Sequence, residues 1–270
     1  MSVGDRTPGA LAGAHAPLTA GGAVSSVFAR GVADICFGHP KSNSLPASVL
    51  RSLAEAIAAA GARGDARAVI LRSYGSGAFC AGASFDELTA IRDAGEGKEF
   101  FMGFARVILA MTRCPKPIIT RVQGKVVGGG VGIVAASDYA IAASHASLRL
   151  SELAVGIGPF VVGPVIEHKI GPGAFGAMAI DADWRDAAWA ERHGLYARLC
   201  DDVASLDASV DALAAKVAAA NPDAVTRIKR IAWSDTEQWP RLLEERAAMS
   251  GSLVLSDYAR TAIAAFTARG

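Results

Sequence analysis

The chain has 270 residues, a net charge of +1 and 51% hydrophobic residues. That length suits one large domain, or one domain with a small appendage, and allows a substantial buried core. The balanced charge leaves no global field for nucleic acid or a membrane surface, and no apolar run reaches spanning length without a charge or glycine.

In chain order, residues 1–23 are rich in Ala, Gly and Pro and lack the basic start and continuous apolar core of a signal peptide. They are expected to form a poorly ordered arm. Residues 24–28 and 32–37 predict two short strands around a turn at Arg30-Gly31. Leu45, Val49, Leu53 and Ile57 share one face of a predicted helix over 45–60, with Pro46 in its first turn. The run 68–73 predicts a buried strand. Helices are expected at 85–92 and 99–112, a strand at 118–122, a helix start at 131–136, a strand at 139–143 and a short one at 148–150. Beyond Pro159 the pattern is helical: 161–170, 172–180, 184–193, 203–221, 223–232, and two pieces within 239–266. Alternation followed by helices predicts an α/β core with a helical C-terminal region.

Cys36, Cys80, Cys114 and Cys200 form no Cys-x-x-Cys pair, which suits reduced thiols in a cytoplasmic protein. The histidines (His15, His39, His145, His168, His193) show no zinc-binding spacing, so no metal is expected.

The chemistry concentrates in two small-residue turns. Gly128-Gly129-Gly130-Val131-Gly132 joins an extended stretch to a helix start, where N–H groups lack intrahelical partners. Ala81-Gly82-Ala83-Ser84 makes a second strand-to-helix turn. Either alone reads as an ordinary tight turn. Together they can aim two N–H donors at one oxygen, an oxyanion hole worth roughly 3–4 kcal/mol per donor in a transition state. Glu152 follows in an apolar segment. Burial there raises a carboxyl pKa toward neutrality, which suits a group that takes and returns a proton. The alternative is a structural ion pair with Arg149. Cys80 has no histidine nearby in sequence and reads as a packing residue, and Asp138 reads as structural.

These segments resemble a known family. Phe79-Cys80-Ala81-Gly82-Ala83, Lys116-Pro117, Gln123-Gly124 before the glycine run, and Ala136-Ser137-Asp138-Tyr139-Ala140-Ile141-Ala142 are similar to the crotonase (enoyl-CoA hydratase/isomerase) superfamily. So are His39-Pro40-Lys41-Ser42-Asn43-Ser44-Leu45, residues 185–195 and residues 259–266, and the resemblance covers 24–266. It implies a crotonase-like spiral of ββα units over 24–198 and a helical trimerisation region over 199–270. It implies that the N–H groups of Ala83 and Gly129 receive the thioester oxygen of an acyl-CoA. It implies that Lys41, Ala81 and Ser84 lie along the coenzyme A path, and that Phe266 reaches a neighbouring subunit or the acyl pocket. A homotrimer or homohexamer is implied, with no cofactor beyond the coenzyme A of the substrate.

The chain departs from the family in two places. Hydratases of the family carry a glutamate two residues after the triple glycine and a second one twenty residues later. Here the first position is Gly132 and the second is Glu152. One carboxylate can still move a proton between carbons, which tilts the expected reaction from hydration toward double-bond isomerisation. Asp86 and Glu87 are the candidates for a replacement acid. Phe160, Val161 and Val162 stand where many relatives are richer in glycine, and all three are expected to line the acyl pocket and to restrict or reshape the accepted chain. Two other classes compete. Gly130-Val131-Gly132-Ile133-Val134-Ala135 is a formal Gly-x-Gly-x-x-Ala match to a dinucleotide site, but it sits mid-chain without a second βαβ half. A weakly active acyl-CoA-binding relative is the non-enzyme alternative.

Overall fold

The computed structural model describes residues 15–267, so most of the expected N-terminal arm lies outside the described residues. The elements run β1 (Ala23–Ala29), β2 (Val32–Gly38), α1 (Ala47–Ala62), β3 (Ala68–Ser73), α2 (Phe85–Thr89), α3 (Ala94–Arg113), β4 (Ile118–Val122), β5 (Val126–Val127), α4 (Gly129–Ala135), β6 (Tyr139–Ala143) and β7 (Ser147–Arg149). They continue with α5 (Gly163–Asp181), β8 (Arg185–Asp186), α6 (Ala187–Arg192), β9 (Arg198–Cys200), α7 (Val203–Ala218), α8 (Pro222–Ala232), α9 (Trp239–Leu253) and α10 (Asp257–Thr267). The α/β core followed by helices is as the alternation predicted.

The main sheet has the order β1-β2-β3-β4-β6-β9. Its first pair is antiparallel and the rest are parallel. Strands β2, β3 and β4 are buried throughout, which matches their continuous apolar composition. A small second sheet, β5-β7-β8, stands apart. Strands β5, β8 and β9, two or three residues each, are too short to leave a period and were not foreseen. Pairing of β8 with β7 also takes the start of the helix expected at 184–193. Helix α5 is broken at Gly171, with φ 80°, ahead of Pro172, where the sequence predicts two separate helices.

One face of the sheet packs on α1 through Val49, Leu53 and Ile57, all buried as predicted. The opposite face, with Ile70, Ile119 and Ile141, packs on Leu206 and Val210 of α7. Charges cross that second interface. Arg72 of β3 donates to the fully buried Asp34 of β2 at 2.8 and 2.7 Å and reaches Asp207 and Asp211 of α7 at 3.8 and 3.7 Å, and Arg121 pairs with Asp207. Buried charges persist only when paired and hydrogen-bonded, so these contacts fix where α7 docks. Asp138 is structural, as expected: it accepts from Ile118 N and Lys229 Nζ at 2.7 Å and from Trp233 Nε1 at 2.8 Å, tying α8 to the sheet. Among the described residues no helix is long and apolar enough to cross a membrane.

Helices α3 and α9 meet backbone to backbone. A Cβ on Gly97 would stand 2.7 Å from Gly251 O and 2.8 Å from Gly251 Cα. Neither atom can rotate away. Gly97→Ala is therefore expected to cost about 2–3 kcal/mol by overpacking. A urea titration should show a lower midpoint with an unchanged slope. An unchanged midpoint would mean the helices separate freely.

Candidate active site

Three backbone segments are sewn together around one cavity. The chain before the first turn pairs with the chain before the second: Phe79 N donates to Lys125 O at 2.9 Å, and Val127 N to Cys80 O at 2.8 Å. The two small-residue turns are thereby held side by side. Strand β5 also pairs in parallel with β7, and Gly128 N donates to Arg149 O at 2.9 Å. The chain leaving β7 turns at once and delivers Glu152 beside Gly128. At Gly128, φ is 54° and ψ −120°, a conformation that an L side chain rarely adopts. A Cβ there would also stand 3.2 Å from Glu152 Oε1, so the carboxyl rests against bare backbone.

The cavity measures about 80 Å3. Ala81, Ala83, Gly129 and Glu152 all line it. Among the described residues no protein acceptor takes the N–H of Ala83 or of Gly129, so both remain available to a ligand. The ring of Phe104 packs on Gly129, where a Cβ would be 2.3 Å from Cε1. Phe85, Phe100, Phe101, Phe104, Phe160 and Val162 supply most of the remaining wall. The aromatic residues of α3 were missed in the sequence, although Phe100, Phe101 and Phe104 at helical spacing were a visible signal.

Glu152 is the one ionisable residue lining this cavity among the described residues. The residue as a whole is only partly buried, but its Oε2 is buried without a hydrogen-bond partner. Burial pushes its pKa up to about 7, partly offset by the backbone N–H groups of Glu152 and Ser151. It forms no ion pair with Arg149, whose Nε is itself buried and unpartnered. The structural ion-pair reading therefore fails on geometry, and Glu152 is left as an uncommitted acid.

This raised pKa predicts a pH-dependent stability. Below pH 4.5, the ordinary glutamate value, the group is protonated in both folded and unfolded chains. Between there and about 7 the unfolded chain ionises first, so stability falls as pH rises, and it levels off above the folded pKa. Glu152→Gln removes this slope. The variant is expected to gain about 2–3 kcal/mol over wild type by pH 8, measured by denaturant titration at several pH values. Parallel curves for the two proteins would refute the burial of the charge.

The position left by the first family glutamate is filled. A Cβ on Gly132 would lie 2.5 Å from Val162 Cγ1 and 2.9 Å from Val162 Cβ, with Ile108 Cδ1 at 3.4 Å. The replacement acids do not reach the site. Asp86 pairs with Lys41 on the surface, and Glu87 accepts from Ala47 N at 2.8 Å at the start of α1. Cys80 is buried, with burial pushing its thiol up to about 12, which fits packing rather than nucleophilic use.

The other sequence-derived residues are dispersed. Ala81 and Phe160 line the cavity. Lys41 lies on the surface, and the Ser84 hydroxyl caps α2 by accepting from Glu87 N at 3.4 Å. Phe266 falls within α10, but its side chain lies outside the described residues.

The fold agrees with a comparison to known proteins. A model described as enoyl-CoA hydratase/isomerase matches residues 28–269. The chain belongs to the enoyl-CoA hydratase/isomerase family. A crystal structure of an enoyl-CoA hydratase from Mycobacterium avium is 26% identical, with a TM-score of 0.78, covering 93% of this chain and 98% of that one. A (7aS)-7a-methyl-1,5-dioxo-2,3,5,6,7,7a-hexahydro-1H-indene-carboxyl-CoA hydrolase of Mycobacterium tuberculosis is 35% identical over 161 residues, 56% of this chain and 62% of that relative. A carnitinyl-CoA dehydratase of Proteus mirabilis is 24% identical over 243 residues, covering 84% and 92%. The match to the hydrolase thus spans under two thirds of its length. The crotonase fold expected from the motifs is the one these enoyl-CoA hydratase/isomerase family members share, and the dinucleotide-site reading of 130–135 falls with it.

Proposed function

We propose that this protein is an acyl-CoA enzyme that moves a double bond, with Glu152 as its single acid and base. The thioester oxygen accepts hydrogen bonds from the N–H groups of Ala83 and Gly129. The Glu152 carboxylate removes a proton from Cα of a β,γ-enoyl thioester. The electron pair enters the conjugated system and the negative charge settles on the thioester oxygen, where the two donors stabilise it. The same carboxyl then returns the proton to Cγ, leaving an α,β-double bond and the enzyme unchanged. No water is consumed. A carboxyl with pKa about 7 suits both halves, since it releases a proton nearly as readily as it takes one.

The observation that carries this reading is Val162 in the space beside Gly132. Hydration in this family is expected to use two carboxylates around a water, and here a valine occupies the second place. Coenzyme A arrives with the substrate, and no further cofactor enters the scheme. Ile228 and Ile231 of α8, 67% and 74% exposed, support association of copies into a homotrimer or homohexamer.

The test is product analysis from β,γ- and α,β-enoyl-CoA in heavy water. Interconversion of the two with deuterium entering the chain, and little 3-hydroxyacyl product, supports isomerisation. Rapid hydration of the α,β-isomer would return the protein to the hydratases. Binding without turnover of either would make it an acyl-CoA-binding relative.

A further inference from the structure

Ile157, Gly158, Pro159 and Phe160 line two cavities at once. On one side lies the catalytic cavity of about 80 Å3. On the other is a chamber of about 480 Å3 open to the surface. Its outer wall includes Leu153, Ile180, Leu253 and Tyr258, which are 47%, 76%, 40% and 72% exposed. Four large apolar side chains thus face water around a hollow that shares one strip of chain with the active site.

Within that strip, Phe160 is the movable part. Ile157 is buried at 2% exposure, Pro159 is fixed by its ring, and Gly158 has no side chain. The Phe160 ring lies over Gly158, where a Cβ would be 2.4 Å from both Cε1 and Cζ. It is partly exposed and reaches both cavities. The inner wall offers no charged group to a distant acyl substituent besides Glu152, which the chemistry at the thioester end already uses.

We propose that Phe160 is an end wall that limits the catalytic cavity to compact hydrocarbon acyl groups, and that the outer chamber is the path a longer chain takes once this wall is removed. The proposal rests on the acyl-CoA reading of the cavity. In the wild type, the extra methylenes of a long acyl group find no room inside. With the ring removed they pass into an apolar chamber, where each buried methylene contributes about 0.8 kcal/mol, or about fourfold in affinity.

The test is calorimetric binding of butyryl-CoA, decanoyl-CoA and coenzyme A itself to wild type, Phe160→Ala and Phe160→Leu. Saturated acyl groups are not turned over, so binding is read apart from chemistry. Both substitutions are expected to shift the preference toward decanoyl-CoA, Phe160→Ala by at least about tenfold and Phe160→Leu by less. Adding Ile180→Asp to Phe160→Ala places a charge in the outer chamber and should cancel the gain. An unchanged preference in both folded variants overturns the end wall. A gain that survives Ile180→Asp overturns the path through the outer chamber. If neither acyl-CoA binds wild type better than coenzyme A does, the acyl reading of the cavity fails, and the end wall fails with it.

Discussion

Glu152→Gln is expected to lower turnover by about 10^3-fold while leaving acyl-CoA affinity within about threefold of wild type. The substitution keeps the shape of the side chain and removes its ability to accept a proton. No second ionisable residue lines the cavity among the described residues, so nothing nearby can substitute. The Ala83 and Gly129 donors act through backbone and are untouched, which is why binding should survive. In wild type, kcat/KM should rise with pH through about 7, because the free enzyme must present a carboxylate. Residual activity of Glu152→Gln close to wild type would show that the proton moves elsewhere.

Gly132→Glu is the second large effect. It restores the family's first glutamate in name, yet it is expected to destabilise the protein by about 3–5 kcal/mol. The new Cβ would overlap Val162, and although Cγ1 at 2.5 Å could rotate away, Val162 Cβ at 2.9 Å is a constraint that no rotamer change removes. The carboxyl beyond it would also be forced into an apolar region with Ile108 as neighbour. Combining Gly132→Glu with Val162→Gly removes the obstructing atoms. The double variant is expected to recover most of the lost stability and to hydrate α,β-enoyl-CoA faster than wild type. This is checked by thermal unfolding and by loss of the conjugated thioester absorbance. If Gly132→Glu alone folds normally and hydrates, Val162 is not what excludes the second acid.

The parts of the site carried by backbone were legible in the sequence. Gly128 to Gly130 and Ala81-Gly82-Ala83 announce close approach by lacking side chains, and Glu152 stands out as a charge in an apolar run. The long elements were legible too, because their periods extend over several turns or strand residues. The part played by Val162 was not. A valine near Pro159 has no sequence relation to Gly132, and only the packing of the chain entering α5 against α4 brings them together. Strand β7 matches the short strand the sequence predicts at 148–150 to within one residue, whereas the two-residue β5 leaves no period to read. Yet they position Glu152 against Gly128, and their pairing is set by hydrogen bonds between distant segments. Asp86 and Glu87 illustrate the reverse error. Their place in the sequence beside the oxyanion turn suggested chemistry, but α2 turns them to the surface and to the α1 terminus.

The crossing of Gly97 and Gly251 has a mechanical consequence for this site. Helix α3 carries Phe100, Phe101 and Phe104 into the cavity, and Ser250 of α9 lines it from beside the crossing. At the crossing itself backbone rests on backbone, with no compressible side chain between the two helices. The width of the cavity is therefore set in part by a rigid spacer made of glycine. Any bulk added at that joint should pry the aromatic wall away from Gly129 and loosen substrate selection, although neither glycine touches the ligand. The place to tune what the cavity accepts is thus the glycine joint behind the pocket as much as the pocket itself.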